Sequence, residues 1–594
     1  MAIYSKTHLG QKTCDIKVLI YLLFFSFGLM LPLFARERKA NVILILADDQ
    51  GWGDLSLHGN TNIRTPHIDS LAHQGAQFSR FYVSAVCAPT RASLLTGRYH
   101  WRTGVLGVDR GEERLNLDEV SLADILKKAG YATGCFGKWH NGSHYPYHPL
   151  GRGFDEFYGF CSGHWSNYFN TKMDHNGQEV QGKGFIADDL TNKAIEFIEE
   201  NKDKPFFCYI PYNTPHSPFQ VPDAFFDKVK KRGLKFASRY AEKEDKIKTM
   251  AALAMCENID WNLGRVLAKL KELNLEDNTI VIYLSDNGPN SWRWNSGYKG
   301  KKSSLDEGGL RVPFLIRWPG EIEAGLKIEA MCTHIDLLPT LCDLLAIDFE
   351  IEKKLDGRSF RPLLKGEAPQ MADRFLYSKQ KQKISLRSNQ YLATKKALYD
   401  LVNDPGQRVN LSQIKPDVYH AMQVSLKQMF GEIDDSSKDR LIPVGYREFP
   451  LTKLAVQDAG FSDTQIKFSS KYANEAWVKG WNDVNSFLFW EIDVQEEGLY
   501  QVELLYTAAQ AGDDLLIECG EARLEARINE IFDPELIHSP DRVPRSETYE
   551  KPFKRVLLGQ LNLSSGPKKL NLKCLKKQGD SFINVKALHL KLLK

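Results

Sequence analysis

Asn41-Val42-Ile43-Leu44-Ile45-Leu46-Ala47-Asp48-Asp49-Gln50-Gly51 is a nearly unbroken apolar run that stops at two adjacent carboxylates. A strand without polar alternation is one covered on both faces, the habit of parallel sheets in α/β proteins. Ligands gather at the carboxyl ends of such strands, and two neighbouring carboxylates there repel each other unless a cation is present. An aspartate-rich turn capping a helix is the plainer reading of the same residues. The pattern recurs along the chain. A strand predicted at 131–136 ends at Gly137-Lys138-Trp139-His140, and one at 279–284 ends at Ser285-Asp286-Asn287-Gly288. A third, at 206–210, runs into Tyr212-Asn213-Thr214-Pro215-His216-Ser217-Pro218-Phe219. Helices are predicted from Thr65-Pro66, with Ile68 and Leu71 inward, and at 121–130, 188–201 and 247–273. Strand and helix in alternation give an α/β class. Asp48, Asp49, Asp286 and Asn287 offer only oxygen donors, which suit calcium or magnesium rather than zinc. His216, between two prolines, belongs to a loop.

The stretch Cys87-Ala88-Pro89-Thr90-Arg91 puts a thiol just ahead of a proline-initiated helix running to Thr96, with Gly97 as its stop. A helix N-terminus presents free N–H groups and partial positive charge, so an anion is favoured there. Arg91 lies about one turn on and can point back at the same spot.

Cys87 to Arg91, continued by Ala92-Ser93-Leu94-Leu95-Thr96-Gly97-Arg98, resembles the signature of the formylglycine-dependent sulfatases of the alkaline-phosphatase-like superfamily. The resemblance runs from about residue 40 to 435 and implies a mixed sheet flanked by helices, followed by a small α+β subdomain. It implies that a formylglycine-generating or anaerobic sulfatase-maturing enzyme converts Cys87 to formylglycine, whose hydrate is the nucleophile. Calcium would be held by Asp48, Asp49, Asp286, Asn287 and the converted Cys87. Arg91 and His140 would support the hydrate, Lys138, His216 and Lys302 would contact the sulfate, and His216 would serve as acid for the leaving oxygen. Lys302 fits by its distance from Glu307-Gly308-Gly309-Leu310-Arg311, with Lys299 and Lys301 as neighbours. After Gly153-Phe154-Asp155 the family's remaining sulfate-contacting position falls on Ser162 or His164. The helix around His334 to Leu341 reads as scaffold. The substrate implied is a sulfated carbohydrate. A phosphonate or phosphate monoester hydrolase and a non-catalytic glycan-binding protein are the competing readings.

A chain of 594 residues exceeds one hydrophobic core. Its formal net charge of +3 carries no basic excess of the kind that serves nucleic acid. Ten cysteines show no C-x-x-C pair, so neither a metal finger nor a dense disulfide framework is expected, although Cys519 and Cys574 could pair. Lys6, Lys12 and Lys17 precede an uncharged run over 18–35, which reads as an export signal. The expected destination is secreted or periplasmic, without stable membrane insertion after cleavage; an uncleaved anchor is the lesser alternative. The expected plan is signal 1–35, catalytic part 36–365, small subdomain 366–435, linker 436–455 and an all-β, jelly-roll-like sandwich over 456–594. The sandwich rests on alternating segments at 487–494, 499–507, 515–519, 568–575 and 583–593. Trp477, Trp481 and Trp490 are either its core or a sugar-stacking platform. Loops 109–115, 143–149 and 228–235 are the expected walls of the pocket.

Overall fold

Every residue of the strand Asn41–Ala47 is buried. Val42, Leu44 and Leu46 enter one hydrophobic core, while Ile43, Ile45 and Ala47 enter another, so the sequence shows no polar alternation. In the computed structural model, which describes residues 1–2, 39–368, 370–431 and 440–593, this strand pairs in parallel with Phe206–Pro211 and Thr279–Ser285. Ala132–Lys138 and then Glu156–Phe160 extend the parallel set. Phe314–Arg317 runs antiparallel on the other flank, and the whole is a mixed ten-stranded sheet. Helices Pro66–His73, Ile186–Glu200 and Lys246–Glu272 cover one face through Ile68, Leu190 and Leu263. Cys87–Thr96, Leu122–Lys128 and Leu337–Leu344 cover the other through Leu94, Leu122 and Leu341. The Leu122–Lys128 helix starts on a capping box between Ser121 and Asp124. Residues Ala40–Lys594 form one compact unit. The export signal read over 1–35 lies, from residue 3 onward, outside the described residues. Among the described residues no helix is long and apolar enough to cross a membrane.

A four-stranded antiparallel sheet, Leu376–Gln380 to Ala397–Asp400, follows, with the helix Pro416–Gly431 laid on it through Met422 and Leu426. Two further sheets then enclose a single core containing Trp481 and Trp490. Both indoles are satisfied internally, by the carbonyls of Ser486 (3.1 Å) and Ala455 (2.9 Å), so they are core residues rather than a sugar platform. Trp477 is half-buried against Phe553.

Three expectations change here. The sandwich begins inside the stretch expected to be linker: Ile442–Val444 pairs with Phe487–Val494, and Leu451–Ala455 with Asn584–Leu592. The first is three residues around a central proline and the second only five residues long, too short to stand out by alternation. Cys519 and Cys574 are both free thiols. They lie on paired strands, but Cys519 faces Leu570 and Cys574 faces Leu515. That offset of several residues, at about 3.3 Å each, exceeds what a disulfide spans. Cys87 is itself the first residue of its helix, with Val86 as N-cap, rather than standing ahead of it.

Candidate functional site

Register brings the acidic strand ends together. Ala47 lies opposite Ser285, so Asp48-Asp49 and Asp286-Asn287 leave the sheet side by side. Asp49 adopts a left-handed backbone (φ 72°), and its N–H donates to Asp286 Oδ1 at 3.2 Å. All four side chains are buried. Asn287 Nδ2 donates to Asp49 Oδ1 at 2.7 Å. Asp48 Oδ1, Asp49 Oδ2 and Asn287 Oδ1 are left without any hydrogen-bond partner. Ligand atoms of Asp48, Cys87 and Asp286 lie within 4.8 Å of one another, as do those of Asp48, Asp49 and His216. Buried oxygens are rarely left unsatisfied, and a cluster of them fits a hard cation.

Positive charge surrounds the carboxylates. Lys138 Nζ lies 2.6 Å from Asp48 Oδ2, and Lys302 Nζ lies 2.6 Å from Asp49 Oδ1. Arg91 binds Asp286 at 2.8 Å and approaches Asp48 at 3.6 Å. Burial by itself would raise the pKa of Asp48, but Lys138, His216, Arg91 and Lys302 together hold it far below the usual carboxylate range. For Asp286, burial and the neighbouring Asp48 charge prevail over Arg91 and raise it. Lys302 is raised because Asp49 outweighs the effect of burial. Of the other candidate lysines, Lys299 turns to the Tyr399 hydroxyl (2.9 Å), and Lys301 donates to the Asn290 carbonyl (3.1 Å).

The helix Cys87–Thr96 delivers the thiol to this cluster and ends on Gly97 in the left-handed region (φ 68°). Thr90 Oγ1 donates to the Asp286 carbonyl at 2.6 Å, and an Arg91 NH group donates to the Lys138 carbonyl at 2.5 Å. One helical turn is thereby tied to two strand ends. His140 has φ 64° and meets the Val108 carbonyl at 2.8 Å through Nε2, leaving Nδ1 unpartnered. Burial and the Lys138 charge push its pKa well down. His216 Nδ1 donates to the Ser217 carbonyl at 2.6 Å, which leaves Nε2 facing Asp49 Oδ2 at 3.8 Å.

Ser162 and His164 line different cavities. Ser162 Oγ donates to Asn474 Oδ1 at 3.3 Å and lines a separate cavity of about 170 Å³. His164 lies on the same cleft as Cys87, its ring centre 6.2 Å from that of His216. That cleft, of about 860 Å³, is lined by Asp49, Cys87, His140, His164, His216 and Lys302. Of the loops expected as walls, 109–115 contributes Asp109. Ser143 and His144 face the smaller cavity beside Ser162, and Lys228 and Lys231 line another of about 600 Å³.

Sequence reasoning missed two features. Arg293 pairs with Asp54 (2.6 Å), both buried, and donates to the Asp49 carbonyl at 3.0 Å, bracing that turn. Asp54, so close behind Asp48-Asp49, was the available signal. The second is a wall of the cleft built by the sandwich, from Tyr472, Asn474 and the run Pro544 to Glu547. Burial would raise the Glu547 carboxyl, but His216, the Ser217 hydroxyl and His164 hold it below its ordinary value.

The Sulfatase family profile matches residues 40–347, and the profile for the C-terminal region of N-sulphoglucosamine sulphohydrolase matches residues 295–435. An N-acetylgalactosamine-6-O-sulfatase of Bacteroides thetaiotaomicron is 29% identical over 497 residues, covering 66% of this chain and 94% of that protein. The mouse N-acetylgalactosamine-6-sulfatase is 30% identical over 377 residues, covering 57% of this chain and 68% of its own length. Among solved structures, Ps i-CgsB in complex with k-i-k-neocarrahexaose superposes with a TM-score of 0.62 at 30% identity, covering 67% of this chain and 94% of that one.

Proposed function

This chain belongs to the sulfatase family and is a sulfuric ester hydrolase, and on that premise we propose that it removes sulfate from a sulfated carbohydrate by means of formylglycine made from Cys87 and calcium held by Asp48, Asp49, Asp286 and Asn287. The observation that carries this reading is the unsatisfied oxygen cluster of Asp48, Asp49 and Asn287 beside the Cys87 helix N-terminus, within a ring of Arg91, Lys138 and Lys302. Three carboxylates there are balanced by three cations. A bound divalent ion leaves a positive surplus that an anionic sulfate ester answers.

Calcium, when bound, supplies Lewis-acid polarisation of a sulfate oxygen and lowers the pKa of the attacking hydroxyl. Converted to formylglycine and hydrated, position 87 would supply one hydroxyl as the nucleophile and a second whose loss of a proton breaks the C–O bond to sulfate and restores the aldehyde, so no second sulfate ester has to be hydrolysed. Lys138, Lys302 and Arg91 hold the anion by fixed positive charge, commonly the largest catalytic contribution. His216, with Nδ1 held by the Ser217 carbonyl, moves a proton to the leaving oxygen at Nε2. The unpartnered Nδ1 of His140 would be available to support the hydrate.

Export to the periplasm or the medium, and conversion of Cys87 by a formylglycine-generating or anaerobic sulfatase-maturing enzyme, belong to the same proposal. Relatives named for N-acetylgalactosamine sulfate and a structure holding a neocarra-oligosaccharide support a carbohydrate substrate. A phosphonate or phosphate monoester hydrolase and a non-catalytic glycan-binding protein are not favoured, since the family match is to sulfatases and no member of the charged cluster is missing. Turnover of aryl sulfate against aryl phosphate and phosphonate, with a mass spectrum of the 81–91 peptide, tests the proposal. Active protein carrying an unaltered Cys87, or faster phosphate than sulfate turnover, overturns it.

A further inference from the structure

Between Ala522–Ile528 and Lys554–Leu563 the chain leaves the sandwich and crosses to the segment that carries His216. Gln220 Nε2 donates to Ser539 Oγ (2.6 Å) and Asp541 Oδ1 (2.8 Å). The Arg542 N–H donates to the Phe219 carbonyl (2.9 Å), its guanidinium donates to the Val221 carbonyl (2.9 Å), and Val543 is inserted into the core beneath the sheet. Arg545 is held by Asp541 (3.0 Å), covers the Tyr549 ring at 4.2 Å and donates to the Ser166 carbonyl, next to His164. The crossing ends at Glu547, which accepts a hydrogen bond from the Ser217 hydroxyl, one residue from His216.

We propose that the sandwich is part of the catalytic cleft: its 544–547 segment and Tyr472 form the subsite for the sugar ring that bears the sulfate, and Glu547 accepts a hydrogen bond from a free donor group on that ring beside the ester. The inference rests on the sulfated-carbohydrate reading above and adds to it the half of the substrate that is not sulfate. Lysines dominate the rest of the cleft, with Lys248, Lys301, Lys302, Lys381 and Lys383 all lining it. The Glu547 carboxylate among them repels an anion and, with the Ser217 hydroxyl on one oxygen, keeps acceptor capacity for a donor on the substrate. His164 points to the same conclusion. It is 4% exposed on this cleft, with the Thr548 backbone beside it and neither ring nitrogen completing a hydrogen bond. The Thr548 backbone answers the ring only in part, which leaves it polar capacity for a ligand. Tyr472, 44% exposed, lines the same cleft with the Lys471 ammonium 5.7 Å from its ring centre, and supplies aromatic surface of the kind sugars pack on. The arrangement selects against a second sulfate on the neighbouring carbon, which would meet the Glu547 charge.

Full-length matured protein is assayed on defined monosulfated and vicinally disulfated mono- and oligosaccharides and on an aryl sulfate, as wild type, Glu547→Ala, Glu547→Gln and Tyr472→Ala. The carbohydrate-to-aryl ratio of kcat/KM falls at least tenfold in Glu547→Ala and in Tyr472→Ala. Glu547→Gln, which keeps shape and acceptor but loses charge, narrows the preference for the monosulfated ring. Ratios unchanged from wild type, or losses equal on both substrate classes, overturn the subsite and leave the carbohydrate reading standing. Wild-type turnover of aryl sulfate with none of the carbohydrates overturns both of these readings while the sulfatase activity stands. Wild-type protein inert on every ester removes the sulfatase mechanism itself, and the subsite with it.

Discussion

Asp48 Oδ1, Asp49 Oδ2 and Asn287 Oδ1 are each buried without a partner, and such atoms cost about 1–3 kcal/mol apiece when left bare. Calcium added to chelator-stripped protein is therefore expected to raise the melting temperature, by a free energy of about 2.7 kcal/mol at a hundredfold excess over Kd. Asp49→Asn should remove most of that shift in the same melts. Lys302 is the lysine in contact with Asp49. Lys302→Ala is expected to lower kcat on an aryl sulfate by about 10²–10³-fold, whereas Lys299→Ala, at the Tyr399 hydroxyl, should leave it near wild type. These oxygen donors could be picked out in the sequence because each sits directly after an apolar strand. That Ser162 and His164 face different cavities could not, because both follow the same strand and the Ser162–Asn474 bond joins residues far apart in the chain.

At the scale of the element, the helix Cys87–Thr96 is held by Thr90 and Arg91 at two different strand ends. Thr90→Val keeps the shape and loses the 2.6 Å bond to the Asp286 carbonyl. It is expected to cost about 1–3 kcal/mol in denaturant melts and to lower kcat more than it alters KM. A second joint has a pH signature. Asp260, on the helix Lys246–Glu272, accepts the Ile68 N–H at 2.7 Å in the first turn of Pro66–His73. Burial raises its pKa from 3.8 to about 7. Between those values the folded chain keeps a proton that the unfolded chain has released, so this site's contribution to stability falls as pH rises from about 4 to 7. Asp260→Asn should flatten the pH dependence of the unfolding midpoint across that window. A steeper dependence would contradict the assignment. The helices themselves could be read from spacing to within a few residues, but no periodicity announces that an aspartate on one of them caps another.

The whole molecule is joined by bonds that cross between its layers. Arg114, from the catalytic part, reaches Asp458 of the sandwich at 3.1 Å, with both side chains nearly fully buried. Arg440 returns to the carbonyl of Arg114 at 2.6 Å. Calorimetry of the full chain is expected to give one transition. Arg114→Ala, which strands a buried carboxylate, should destabilise it by about 3–5 kcal/mol. Two independent transitions in the wild type would mean that the layers fold apart. The alternating strands of the sandwich could be read in the sequence, but its reach across to His216 could not. Residues 529–553 carry no periodic pattern, and their meaning lies in Gln220, Phe219 and Ser217, far away in the chain. Asn584–Leu592 lies inside its sheet, between Leu451–Ala455 and Gly498–Thr507. Translation must therefore pass residue 592 before this sheet is complete. A nonsense codon near residue 580 spares every charged group around Cys87, yet leaves that segment tethered to an unfinished sheet. In a genetic selection for growth on sulfated glycan, such truncations should score with the inactive alleles.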